Sequence, residues 1–209
     1  MDNFVIENKS NATQEFVEII KNSTKNLNKK IVKLINSKNL KIILANKLSD
    51  VLLPENINDI DTYQDYTSEN KDLTTRGLLS DTINALCIFS NTTTKENLEA
   101  IFYHELGHLI DMHADWEKPS FSNTAKFVEA YQKDIQNSWD KIKNDNRYRL
   151  KHYIQNSTPE NISLNATMET FAHCFARING KFDDIDILGE YFPETLKIAK
   201  KIFAEFLEE

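Results

Sequence analysis

Residues 104–108 read His-Glu-Leu-Gly-His, and the spacing of the two histidines carries chemistry. Residues four apart share one face of a helix, so His104 and His108 can turn both imidazoles towards one metal ion. Glu105 projects about 100° round the axis from His104, which sets its carboxylate beside such an ion and not on it. In that arrangement zinc lowers the pKa of bound water to ~7 and a carboxylate takes the proton. The pattern predicts zinc-dependent hydrolysis, with His104 and His108 as metal ligands and Glu105 as the general base. The bland counterpart is a His–Glu helix face that is merely solvated or packed. The position of the motif, on an amphipathic helix after a buried strand, favours the zinc reading.

A catalytic zinc site needs a third protein ligand. The metzincin pattern would place Gly at 111 and His at 114, but the chain has Asp111 and Ala114, which excludes that class. Three candidates remain. Glu129 follows His108 by 21 residues, a thermolysin-like spacing, yet an exposed helix glutamate explains it equally well. Glu169 lies on a helix whose opposite face carries Phe171, Cys174, Phe175 and Ile178. His173 lies one turn beyond Glu169 on the same face, as a ligand, a partner to one, or a partly buried histidine. Glu169 is the favoured ligand. His113, five residues past His108, is expected to face away.

These residues need a scaffold, and its outline is legible. Apolar positions from Phe16 to Ile35 recur at helical spacing over 13–37, with a break near Asn22–Ser23. LKIILA (40–45) and INALCIFS (83–90) read as short buried strands, and 54–77 as a polar irregular stretch. Thr93 and Glu96 fit a capping box for a helix over 94–114. Further helices are predicted over 122–143, with Phe127, Tyr131, Ile135 and Trp139 buried, and over 166–178, ended by Gly180. Pro193 opens a last helix. The expectation is one mostly helical α+β domain spanning 1–209. Residues 1–90 would form an N-terminal α/β lobe, and 91–209 the active-site helix and a helical C-terminal lobe.

Three blocks in order resemble a known family. HELGH with Leu109-Ile110-Asp111, then SNTAKFVEAYQKDI, then Glu169-Thr170-Phe171-Ala172 with Phe175, resemble the catalytic-domain family of anthrax toxin lethal factor. That family includes the small clostridial Pro-Pro endopeptidases. The tail YFPETLKIAKKIF resembles its closing helix, and the likeness covers most of 78–205. The resemblance implies a zincin-like metalloprotease fold with His104, His108 and Glu169 as zinc ligands and Glu105 as general base. It implies a secreted protein acting on peptide or protein substrates, with a preference for proline-rich sequences. The chain departs from the family in two places. The family has a tyrosine seven residues before its glutamate ligand, able to donate to a developing oxyanion; here that position is Ile162. Tyr148 and Tyr153 are the candidates to replace it. The interval from His108 to Glu169 is also longer, and the extra length falls in a basic stretch, 141–152.

Composition narrows the remaining classes. Four Gly and four Pro in 209 residues exclude collagen-like and linker-like chains and disfavour a many-turned β-sandwich. The net charge of −7 gives no basic footprint for nucleic acid. No apolar run reaches the ~18 residues of a membrane span. Two Cys make no disulfide framework, and Cys87 and Cys174 both fall in apolar patterns that predict buried thiols. The start, MDNFVIENKSNATQ, has no signal-peptide pattern, which leaves a cytoplasmic location open. A monomer is expected. The rival functions are a cytosolic regulatory HExxH protease that cuts a repressor, and a zinc-stabilised interaction module with impaired catalysis.

Overall fold

The computed structural model describes residues 5–9, 12–51, 76–80, 83–112, 119–179 and 187–208. Most of the irregular stretch expected at 54–77, His113 and the Gly180 cap lie outside these residues. The fold is α+β and mostly helical, with one four-stranded sheet among the described residues. Two compact units, 1–105 and 106–209, divide the chain, and the division falls inside the continuous helix Lys95–Asp111.

In the first unit β1 (Ile6–Asn8), β2 (Lys41–Ala45), β3 (Gly77–Ser80) and β4 (Ala85–Phe89) lie in the order β1-β2-β4-β3. β2 is parallel to β1 and to β4, and β3 runs antiparallel to β4 at the edge. The two strands legible in the sequence are the two central ones. All of β4 and all of β2 but Lys41 are buried. A strand covered on both faces has no polar side, so it reads as an unbroken apolar run. Ile43, Ala45, Ala85, Cys87 and Phe89 point to one face and form a core with Leu48 and Val51. Ile42, Leu44, Leu86 and Ile88 alternate to the other face, and the Gly77↔Ile88 pairing puts residue 77 there too.

Helices α1 (Gln14–Lys25) and α2 (Lys29–Ser37) break at 26–28, not near Asn22–Ser23. The reason is local. Ser23 Oγ donates to the Ile19 carbonyl and Thr24 Oγ1 to the Lys21 carbonyl, so both hydroxyls are satisfied within α1. Asn28, whose side chain accepts from the Lys30 amide, instead starts α2. Helix α3 (Lys95–Asp111) follows the sheet. Lys95 pairs with Glu15, and the single Ser23 hydroxyl proton is shared between the Ile19 carbonyl at 3.0 Å and Glu99 Oε1 at 3.1 Å, so α1 lies along the first turns of α3. The expected Thr93 cap does not form. The helix begins one residue later, with the Asn97 amide donating to the Thr94 carbonyl and the Asn97 side chain to Thr94 Oγ1. The Thr93 hydroxyl is buried and has no hydrogen-bond partner among the described residues.

The second unit holds α4 (Ala125–Asn144), α5 (Tyr148–Ile154), α6 (Leu164–Asn179), α7 (Ile187–Tyr191) and α8 (Pro193–Glu208). A 3₁₀ turn at Phe121–Asn123 precedes α4. The core is aromatic. Phe171 packs on Phe121, Phe127 and Phe203 at ring separations of 5.9, 5.3 and 4.7 Å, and Phe203 continues to Phe175 at 4.9 Å. Phe127, Tyr131 and Ile135 form the buried face of α4 as the spacing predicts, while Trp139 is half-buried. Asp134 on α4 accepts from the Thr195 amide and hydroxyl, both at 2.7 Å. It thereby caps the N-terminus of α8 from a neighbouring helix, as a local N-cap side chain would.

Candidate metal centre

Helix α3 carries His104 and His108 one turn apart, and α6 carries Glu169. One donor atom from each of these three residues lies within 4.8 Å of the others. Among the described residues this is the one group of three or more His, Cys, Asp or Glu side chains placed to hold an ion. His108 Nε2 and Glu169 Oε1 are 3.5 Å apart. Two donors each ~2.1 Å from a tetrahedral zinc would stand about 3.4 Å apart, so the pair has the separation that such an ion requires. Both side chains are partly exposed, at 15% and 30%, which leaves the donors reachable. The site fits a divalent cation that takes two imidazoles and a carboxylate.

The approach of α6 to α3 depends on Gly107, between the two histidines. A Cβ at 107 would lie 2.6 Å from Ala172 Cα and 2.9 Å from the Ala172 carbonyl oxygen. Two helix backbones can come this close only where both crossing residues are small, and Ala172 is the partner. Ala172 sits three residues past Glu169, on the same side of α6. The crowded spot at Gly107 and Ala172 is thus within one turn of both His108 and Glu169.

Asp111, one turn past His108, is fully buried. Its carboxylate accepts from the Ser122 amide at 2.7 Å and from Ser122 Oγ at 2.6 Å. Burial pushes the carboxyl up from its ordinary range, against the pull of those hydrogen bonds and of nearby His108. The contact ties the end of α3 to the turn that starts α4, and fixes the helix end beyond the second histidine.

Glu105 is buried, at 6% exposure. It lies over β3, where Glu105 Oε1 and Ile101 Cγ2 occupy the space beside Gly77. The Cys87 thiol on the other face of the sheet feels its charge. Burial first, and Glu105 second, push that thiol up to about 12.

The group does not include Glu129 or His173. Glu129 is exposed on α4. His173 is half-buried one turn past Glu169, with its ring 4.6 Å from that of Tyr153. Tyr153 is buried; its ring also packs on Phe192, and its backbone carbonyl accepts from Tyr131 Oη at 2.5 Å. Ile162 is half-buried in the loop before α6. The Tyr148 side chain lies outside the described residues. In the basic stretch Arg147 is committed internally. Its guanidinium holds Asp145 and Glu190 and lies 5.0 Å from the centre of the Tyr191 ring. Arg147, then Tyr191, which donates to Asp145 at 2.6 Å, hold the Asp145 carboxyl well below its ordinary range.

Gly77, Ala172 and Asp111 are residues of the site that the motif does not announce. Gly77 could have been suspected from the rarity of glycine in this chain; the other two have no local signal. No helix among the described residues is long and apolar enough to cross a membrane. No protein-family model matches the chain, and a comparison with curated proteins gives no significant match.

Proposed function

We propose that the protein is a zinc-dependent endopeptidase with a zincin-like fold, His104, His108 and Glu169 as its metal ligands and Glu105 as its general base. The observation that carries this reading is the meeting of Glu169 with the two HExxH histidines. Glu169 lies 61 positions after His108, and the motif alone does not dictate its arrival there. Two imidazoles and a carboxylate are a donor set typical of catalytic zinc sites that keep an open position. Zinc in such a site supplies Lewis acidity, acidifying water to a pKa of ~7 and polarising a carbonyl. Glu105, next to the first histidine but off the ligand stripe, takes the proton of the attacking water. It then passes that proton to the leaving amine, so the same carboxylate serves as base and acid. A peptide or protein is the substrate. The resemblance to lethal-factor-like proteases supports this assignment and a secreted role.

Ile162 has no hydroxyl to donate to an oxyanion, and it keeps a second reading in play, a zinc-binding interaction module with weak catalysis. Metal analysis tests the ligands. Glu169→Ala and His108→Ala should lose stoichiometric zinc while Glu129→Ala keeps it. Full zinc occupancy in Glu169→Ala would refute the assignment. Retained cleavage by Glu105→Gln would refute the general base, and zinc binding without any cleavage by the native chain would favour the module.

A further inference from the structure

A glycine inside a strand costs roughly 0.5–1 kcal/mol relative to alanine, so each one calls for a reason. Gly77 opens the edge strand β3, and its φ lies outside the left-handed region that favours glycine. Its conformation admits alanine; its surroundings do not. A Cβ at 77 would stand 2.6 Å from Glu105 Oε1, 2.9 Å from Glu105 Cγ and 2.9 Å from Ile101 Cγ2. The pairing with Ile88 turns this face of β3 towards α3. The Glu105 carboxylate therefore fills the volume that a side chain at 77 would take.

We propose that Gly77 is a positioning residue for the reaction: by having no side chain, it gives the Glu105 carboxylate its seat against the edge strand. This rests on the reading of Glu105 as general base. Two of the three crowded atoms belong to Glu105, and Oε1 is the far end of a long unbranched side chain, whereas Ile101 is β-branched and stiff. A methyl group at 77 is therefore relieved mainly by moving the carboxylate, not by opening the sheet. A displacement of about 1 Å at a reacting group is enough to cost 10²-fold in rate.

The test compares the native chain with Gly77→Ala, Ile101→Ala, the Gly77→Ala/Ile101→Ala pair and Glu105→Gln. All are zinc-loaded and assayed on a fluorescence-quenched library of random peptides. Gly77→Ala should keep native zinc content while kcat falls ~10–100-fold and KM stays within about twofold. In the Ile101→Ala background, Gly77→Ala should cost less thermal stability than it does in the native chain, and kcat should stay low. In the metal-free chain, the Tm drop caused by Gly77→Ala should shrink to about half or less in a Glu105→Ala background, since the crowded atoms are gone. A kcat within about threefold of native, alongside an inactive Glu105→Gln, would overturn the inference. So would loss of zinc or fold in Gly77→Ala and in the pair, which would make Gly77 a packing residue only. Cleavage by Glu105→Gln would remove the general base instead. The metal-free coupling between 77 and 105 would then still report whether the seat exists.

Discussion

Replacing Gly107 by alanine tests whether the close crossing of α3 and α6 is what delivers Glu169 to the histidines. The added Cβ would lie 2.6 Å from Ala172 Cα, 2.9 Å from the Ala172 oxygen and 3.1 Å from Phe175 Cβ. The nearest two are backbone atoms, which cannot swing aside as a side-chain end can. To regain ordinary carbon–carbon spacing of ~3.5 Å, α6 must retreat by about 1 Å. Glu169, one turn from the contact, moves with it, whereas metal–ligand distances tolerate only about ±0.2 Å. The expected loss is ~10–100-fold in zinc affinity, or about 1.4–2.7 kcal/mol. The metal-free fold changes less. Overpacking costs ~1–3 kcal/mol, and alanine returns up to ~1 kcal/mol of helix propensity. Competition with a chromophoric chelator measures the affinity, and urea unfolding of the metal-free chain measures the fold. Native zinc affinity together with a raised unfolding midpoint would show that the Gly107 crossing does not place Glu169, because only the propensity gain would remain.

Three other outcomes follow from the geometry. Asp134→Ala removes the acceptor at the start of α8 and should cost about 1–3 kcal/mol in urea unfolding. The Asp145 carboxyl is lowered from 3.8 in the fold, so its stabilisation is complete above that value and fades as acid protonates it. The native chain should therefore exceed Asp145→Asn in urea midpoint by a constant margin above about pH 5, with the margin shrinking below pH 4. Burial raises both thiols, Cys87 to about 12 and Cys174 upward as well. Neither should react with a thiol reagent at pH 8 until the protein unfolds, when both become titratable.

Features held by short-range spacing were legible in the sequence. The i, i+4 histidines, the apolar faces of α3, α4, α6 and α8, and the unbroken runs of β2 and β4 are properties of neighbouring residues. What escaped depends on partners far along the chain. β1 and β3 have three and four residues and owe their strand state to pairing with β2 and β4, so no alternation marks them. The break between α1 and α2 lies at 26–28 and not near Asn22–Ser23 because Ser23 and Thr24 bond back into α1, which their residue types do not reveal. In the site, Glu169 could be nominated from its helix face, but its arrival beside His108 depends on Gly107 meeting Ala172. Gly107 was visible in the motif as a residue between ligands; its contact was not. Gly77 and Asp111 are of the same kind, one significant for the space it leaves empty and the other for hydrogen bonds to Ser122.

The most direct measurement exposes a diverse peptide library to the zinc-loaded chain and to zinc-loaded Glu105→Gln, with new N-termini read by mass spectrometry. The native chain should cleave, the variant should not, and the two should carry equal zinc. No cleavage by the fully zinc-loaded native chain, or equal cleavage by the variant, would contradict the proposed function.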